Sequence, residues 1–74
     1  MANKNKVRQR RALETLRYYK TYQQKDVGDV TGEDEVTDLL ADLRHYCGAH
    51  DISFVDAVRM SEQHYEGELL NPNE

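Results

Sequence analysis

The sequence predicts an all-α fold: a basic N-terminal helix and an αα-hairpin, joined into an oligomeric helical bundle. Three observations lead there. Residues 4–24 contain neither Gly nor Pro and are rich in the helix formers Arg, Lys, Gln, Leu and Ala. Apolar residues at Val36, Leu39, Leu40, Leu43 and Cys47 follow the i, i+3, i+4, i+7 spacing of one helix face. Ser53, with Asp56 three residues on, forms a helix-start signature ahead of a further run of apolar residues at helical spacing. On this pattern the chain divides into a basic helix (1–25), an acidic Gly-containing linker (26–35), a helical hairpin (36–68) and a loose tail (69–74).

Helix 1 spans about Lys4 to Gln24. Ala12, Leu13, Leu16 and Tyr19 form its apolar stripe, and Tyr18 and Tyr22 pair at i, i+4 on a neighbouring face. Only Val7 is apolar near its start, so that end is expected to fray. The linker Asp-Val-Gly-Asp-Val-Thr-Gly-Glu-Asp-Glu has two glycines and no apolar period. Thr31 or Asp34 is a candidate cap, and Glu33, Asp34 and Glu35 suit the positive end of the next helix dipole. Helix 2 then starts between Asp34 and Val36 and runs to Tyr46 or Cys47, where Gly48 offers a left-handed cap. Helix 3 begins at Ser53. Phe54, Val58, Ser61 and Tyr65 form its face, Val55, Ala57 and Met60 widen it, and Gly67 and Pro72 end it. The short connection makes helices 2 and 3 antiparallel or steeply crossed neighbours. Two short helices cannot cover each other's apolar faces, so helix 1 or a second chain must do so.

Size and composition bound the function. A chain of 74 residues and 8.6 kDa buries only about 60% of its unfolded surface, too little for a deep catalytic pocket. The reading is therefore non-enzymatic. Mean hydropathy is −0.93 and no apolar run approaches the ~18 residues of a membrane span, so no membrane role is expected. The basic start lacks the apolar core of a secretory signal, and Cys47 is a lone thiol. Both point to the cytoplasm.

Charge is unevenly distributed. Residues 1–25 carry eight cations against Glu14, a net +7, while residues 26–74 carry Arg44 and Arg59 against thirteen carboxylates, a net −11. Such a split suits an anionic partner for the basic segment, or contact of that segment with acids on its own or a neighbouring chain. Arg8, Arg10, Arg11, Arg17 and Lys20, interleaved with Tyr18 and Tyr22, offer phosphate-neutralising charge beside stacking surfaces, a candidate nucleic-acid site for DNA or RNA. Glu33, Asp34, Glu35, Asp38 and Asp42 form an acidic face able to enter a basic groove of a protein partner. Val36, Leu39, Leu40, Leu43, Cys47, Phe54, Val58 and Tyr65 are the candidate core or oligomer interface.

Other chemistries lack their patterns. His45, Cys47, His50 and His64 do not have the spacing of a zinc site, and Cys47 on the apolar stripe reads as a buried small side chain. No catalytic triad, phosphate loop or dinucleotide fingerprint is present, so no catalytic residue, metal or cofactor is expected. A helix-turn-helix reading would aim Phe54, Val55, Asp56, Arg59 and Glu62 at DNA, a set too apolar and acidic for a phosphate-lined groove.

The run Asp38-Leu39-Leu40-Ala41-Asp42-Leu43-Arg44-His45-Tyr46-Cys47, then Asp51-Ile52-Ser53-Phe54 and Ala57 to Glu66, resembles small uncharacterised helical proteins of bacterial chromosomes, prophages and plasmids. The resemblance covers residues 36–68 and implies an accessory role on a phage or mobile element. The first reading is a non-catalytic interaction protein that binds a protein partner through a charged helical surface. The alternative is a nucleic-acid-binding accessory or regulatory protein that uses helix 1.

Overall fold

The structure, a computed structural model, describes residues 3–23 and 32–73. The described residues form three helices, α1 (Lys4–Tyr22), α2 (Glu33–Ala49) and α3 (Phe54–Leu70), and no strand. The Thr31 cap and most of the linker lie outside the described residues.

Helix boundaries follow local hydrogen bonding. Asn3 caps α1, its Oδ1 accepting from the Asn5 N–H at 2.8 Å. Gly32 takes the cap position of α2, ahead of Asp34, and donates its N–H to Glu35 Oε2 at 2.9 Å. Glu33, Asp34 and Glu35 fill the first turn, where the exposed N–H groups favour negative charge. Ser53 caps α3 as its sequence signature indicates, Oγ accepting from the Asp56 N–H at 3.2 Å, an arrangement that contributes ~1 kcal/mol. The Asp56 carboxylate turns to Arg59 at 3.5 Å.

Both glycine stops are corrected. Gly48 lies within α2 and Gly67 within α3. The left-handed residue after α2 is Asp51, at φ 56°, and the Ile52 N–H closes the helix on the Cys47 carbonyl at 2.9 Å. This is a Schellman-type ending displaced by three residues from Gly48, at a residue whose short polar side chain tolerates φ > 0. The 69–74 segment is also tied down where it is described. The Pro72 carbonyl accepts the Lys4 N–H at 2.9 Å, and the Glu68 carbonyl accepts from Asn5 Nδ2 at 2.9 Å. The start of α1, expected to fray, is the other half of this closure.

These contacts set the helix arrangement. α1 meets α3 at Asn5 and Arg8, where Arg8 Nε lies 3.0 Å from Glu68 Oε2, and meets α2 at Tyr19, Lys20 and Gln23. Asn5 and Lys20 are about 22 Å apart along α1 at 1.5 Å per residue. The ends of α2 and α3 remote from their shared turn are therefore held about that far apart. The two helices are steeply crossed neighbours, an open V rather than a side-by-side hairpin, and α1 closes the V into a flat triangle. The molecule measures 38 × 34 × 17 Å, with a radius of gyration of 14.2 Å against about 11 Å for a compact chain of this length.

A single triangular layer has corners but no interior. Among the described residues two side chains are buried: Lys20 at 5% exposure in the α1–α2 corner, and Cys47 at 9% in the α2–α3 corner, beside the turn. Arg44 lies over the Phe54 ring, 5.5 Å from its centroid, at that same corner. The expected core set is correspondingly open. Cys47 is buried and Leu39 and Phe54 are half-buried, but Val36, Leu40, Leu43, Val58 and Tyr65 are exposed.

Candidate interaction surface

The α1–α2 seam is polar. Lys20 Nζ approaches Glu35 Oε1 at 3.6 Å, so the Glu35 carboxylate joins the buried ammonium to the Gly32 cap. Gln23 Nε2 donates to Asp38 Oδ2 at 3.2 Å, and the Tyr19 hydroxyl donates to Asp42 Oδ2 at 2.5 Å. The hydrogen bond to Asp42 is the main reason the Tyr19 hydroxyl is pushed up to about 12; burial and the charges of Asp42 and Asp38 add to it. Tyr22 is also raised, first by its hydrogen bond with Tyr18, whose ring it meets edge-on at 5.3 Å between centroids.

This seam redraws both charged sites expected from sequence. Lys20 is not a phosphate contact, because its ammonium is enclosed against Glu35. Arg8 is half-buried and paired with Glu68. Glu35 and Asp38 are half-buried against α1, whereas Asp42, although it accepts from Tyr19, stays exposed, as do Glu33 and Asp34 at the start of α2. Arg10, Arg11, Arg17, Tyr18 and Tyr22 stay exposed.

Helical periodicity sorts those that remain into two edges. At about 100° per residue, Lys6, Arg10 and Arg17 fall within a ~40° sector on the outer side of α1, a strip about 16 Å long. Arg11, Tyr18 and Tyr22 fall on a second edge, where Arg11, Glu14, Thr15, the three tyrosines 18, 19 and 22, and Leu39 line a hollow of about 480 Å³.

Between the helices lies an apolar bowl. Ala12 and Leu16 of α1 and Val36, Leu39, Leu40 and Leu43 of α2 line a cleft of about 560 Å³, with Arg8 and Arg11 on its α1 rim. A second cleft, of about 510 Å³, adds Tyr65 and Leu69 of α3 and shares Arg8 and Ala12 with the first. The bowl exists because the seam residues of α2, Glu35, Asp38 and Asp42, lie roughly a third of a turn from the centre of the Val36–Leu40–Leu43–Cys47 stripe. Packing α1 on the acids leaves the leucines facing the open centre.

Comparison with family models, curated proteins and solved structures finds no match to this chain. Among the described residues no three His, Cys, Asp or Glu side chains converge as metal ligands, and no helix is long and apolar enough to cross a membrane. His50 packs on Tyr46 at 4.3 Å between ring centroids, while His64 lines a cleft with Arg8 and Glu68.

Sequence reading did not find Asn3, Asn5 or the Lys20–Glu35 pair. Asn3 directly before the first helical residue is a capping signal available in the sequence. The pair joins residues on different helices, and nothing local to either marks it.

Proposed function

We propose that the chain is a small non-catalytic interaction protein of phage or mobile-element origin that binds a protein partner through a charged helical surface. The observation that carries this reading is the outer edge of α1. Lys6, Arg10 and Arg17 share one exposed strip, while three acids of α2 are engaged on the inner seam and do not neutralise it. A strip of this kind suits an acidic protein surface, where charge complementarity raises the association rate and selects the partner. The origin rests on the resemblance of residues 36–68 to helical proteins of mobile elements.

The second reading, nucleic-acid binding by α1, is favoured by Arg11 beside the exposed Tyr18–Tyr22 pair, cationic charge next to rings on which bases can stack. One experiment separates the two. Duplex and single-stranded DNA are titrated by fluorescence anisotropy at several salt concentrations, with wild type beside a variant carrying Arg10→Ala, Arg11→Ala and Arg17→Ala. The protein-partner reading expects no binding at low salt, with cross-linking in the host recovering an acidic protein that Arg10→Glu with Arg17→Glu loses. Micromolar binding that weakens steeply with salt and disappears in the triple variant overturns it in favour of nucleic acid.

A further inference from the structure

We propose that the contact between the start of α1 and the end of α3 is a latch: it opens while the α1–α2 corner stays closed, and in its closed form it withholds Arg8 from an acidic partner. The use of Arg8 by such a partner rests on the reading of α1 given above; the opening itself does not.

Glu68 is the centre of the latch. Its carboxylate takes Arg8 Nε at 3.0 Å, and its carbonyl accepts from Asn5 Nδ2 at 2.9 Å. Arg8 Nη1 donates in turn to Asn5 Oδ1 at 2.8 Å, and the Lys4 N–H donates to the Pro72 carbonyl at 2.9 Å. These contacts are all polar, and α3 contributes no buried residue to back them. Clefts of about 280 and 510 Å³, each lined by both Arg8 and Glu68, bring solvent to the pair from two sides.

The two ends of α1 differ in how far water and salt reach them. The side chains of Arg8 and Glu68 are 22% and 36% exposed, whereas those of Lys20 and Glu35 are 6% and 16% exposed. Raising salt from ~0.1 M to ~1 M shortens the screening length from about 10 Å to about 3 Å, and it weakens exposed pairs far more than buried ones. The Lys20 corner is held further by Gln23 on Asp38 and Tyr19 on Asp42. Contact is therefore lost first at Glu68, and α1 pivots about its Lys20 end. Arg8, neutralised in the closed form, then adds its charge to the exposed Arg10, Arg11 and Arg17.

The Lys4 amide reports the latch directly. It belongs to the first turn of α1, whose N–H groups have no partner within the helix, so the Pro72 carbonyl is what protects it. Its hydrogen exchange is followed by NMR in the full chain, for wild type, Glu68→Lys, and Glu68→Lys combined with Arg8→Glu. A lysine suits the negative end of a helix dipole, so Glu68→Lys spares α3 itself. Charge reversal should speed Lys4 exchange at least about fivefold, the factor that an exposed pair sets, and ~1 M salt should speed it in wild type. The double variant should restore slow exchange, and amides in the middle of α1 and α2 should keep their protection throughout. Lys4 exchange indifferent to reversal and salt overturns the proposal, as does a double variant that fails to restore it. Loss of protection along α1 and α2 in step with Lys4 also overturns it, because the two ends then open as one. The readout involves no partner, so a latch that fails leaves the protein-binding reading standing.

Discussion

The seam between α1 and α2 and the bowl beside it are built from the same two helices by opposite means. The seam is closed by polar groups: a buried ammonium on a carboxylate, an amide on a carboxylate, a phenol on a carboxylate. The bowl is lined by leucine, valine and alanine and stays open. The contrast shows that within one chain the directional contacts orient the helices, while the apolar residues, which supply most folding free energy in a globular domain, are left facing outward.

The largest effect expected from breaking this contrast is at Lys20. Lys20→Met keeps the buried stem but leaves Glu35 facing an apolar methionine, and loss of one member of a buried pair should cost about 3 kcal/mol, read from urea unfolding. The Gly32 N–H still donates to Glu35, which keeps the cost toward the lower end of the range for such losses. A stability equal to wild type would show that the pair does not hold the corner.

Leu43→Ala probes the other side. At 43% exposure its truncation should cost about 1 kcal/mol, read from urea unfolding. A cost of about 2 kcal/mol or more would contradict the open bowl.

Asp51→Gly should be mildly stabilising, by roughly 0.5 kcal/mol, since glycine adopts φ 56° without the side-chain penalty and loses some of that gain to greater freedom in the unfolded chain. Asp51→Val at the same site should instead destabilise, visible as a lower thermal midpoint. If both variants behave alike, the left-handed turn is not what ends α2.

The alkaline limb tests the seam most gently. Folding raises the Tyr19 hydroxyl from 10.0 to about 12, so the fold favours the protonated phenol. The stability this contributes is fully present below pH 10 and is lost as pH rises through 12. Tyr19→Phe should flatten the stability profile across that window, and a tyrosinate absorbance titration should show one fewer late-titrating phenol. An unchanged profile would mean that Asp42 does not hold the hydroxyl in solution.

How much was legible before the structure follows from the range of each interaction. Helix identity rests on contacts within four residues, so the three helices and the Ser53 cap follow from spacing and residue type. Glycine misled at Gly48 and Gly67 because its conformational freedom permits a helix end without requiring one, and the hydrogen bonds of the next turn carried each helix past it. Of the charged residues, sequence told their sign and number but not their orientation. Arg10 and Arg17 remained on the outside, whereas Lys20, Glu35, Asp38 and Asp42 joined residues at least fifteen positions apart.

The sequence by itself therefore determined the all-helical class, the positions of the apolar stripes and the division of charge, because helix periodicity and side-chain chemistry are local. Only the tertiary structure decided that α2 and α3 open into a V and that α1 bridges them. Those outcomes depend on the Lys20–Glu35 contact at one end of α1 and the Asn5–Glu68 contact at the other, about 22 Å away, a distance that no local pattern encodes.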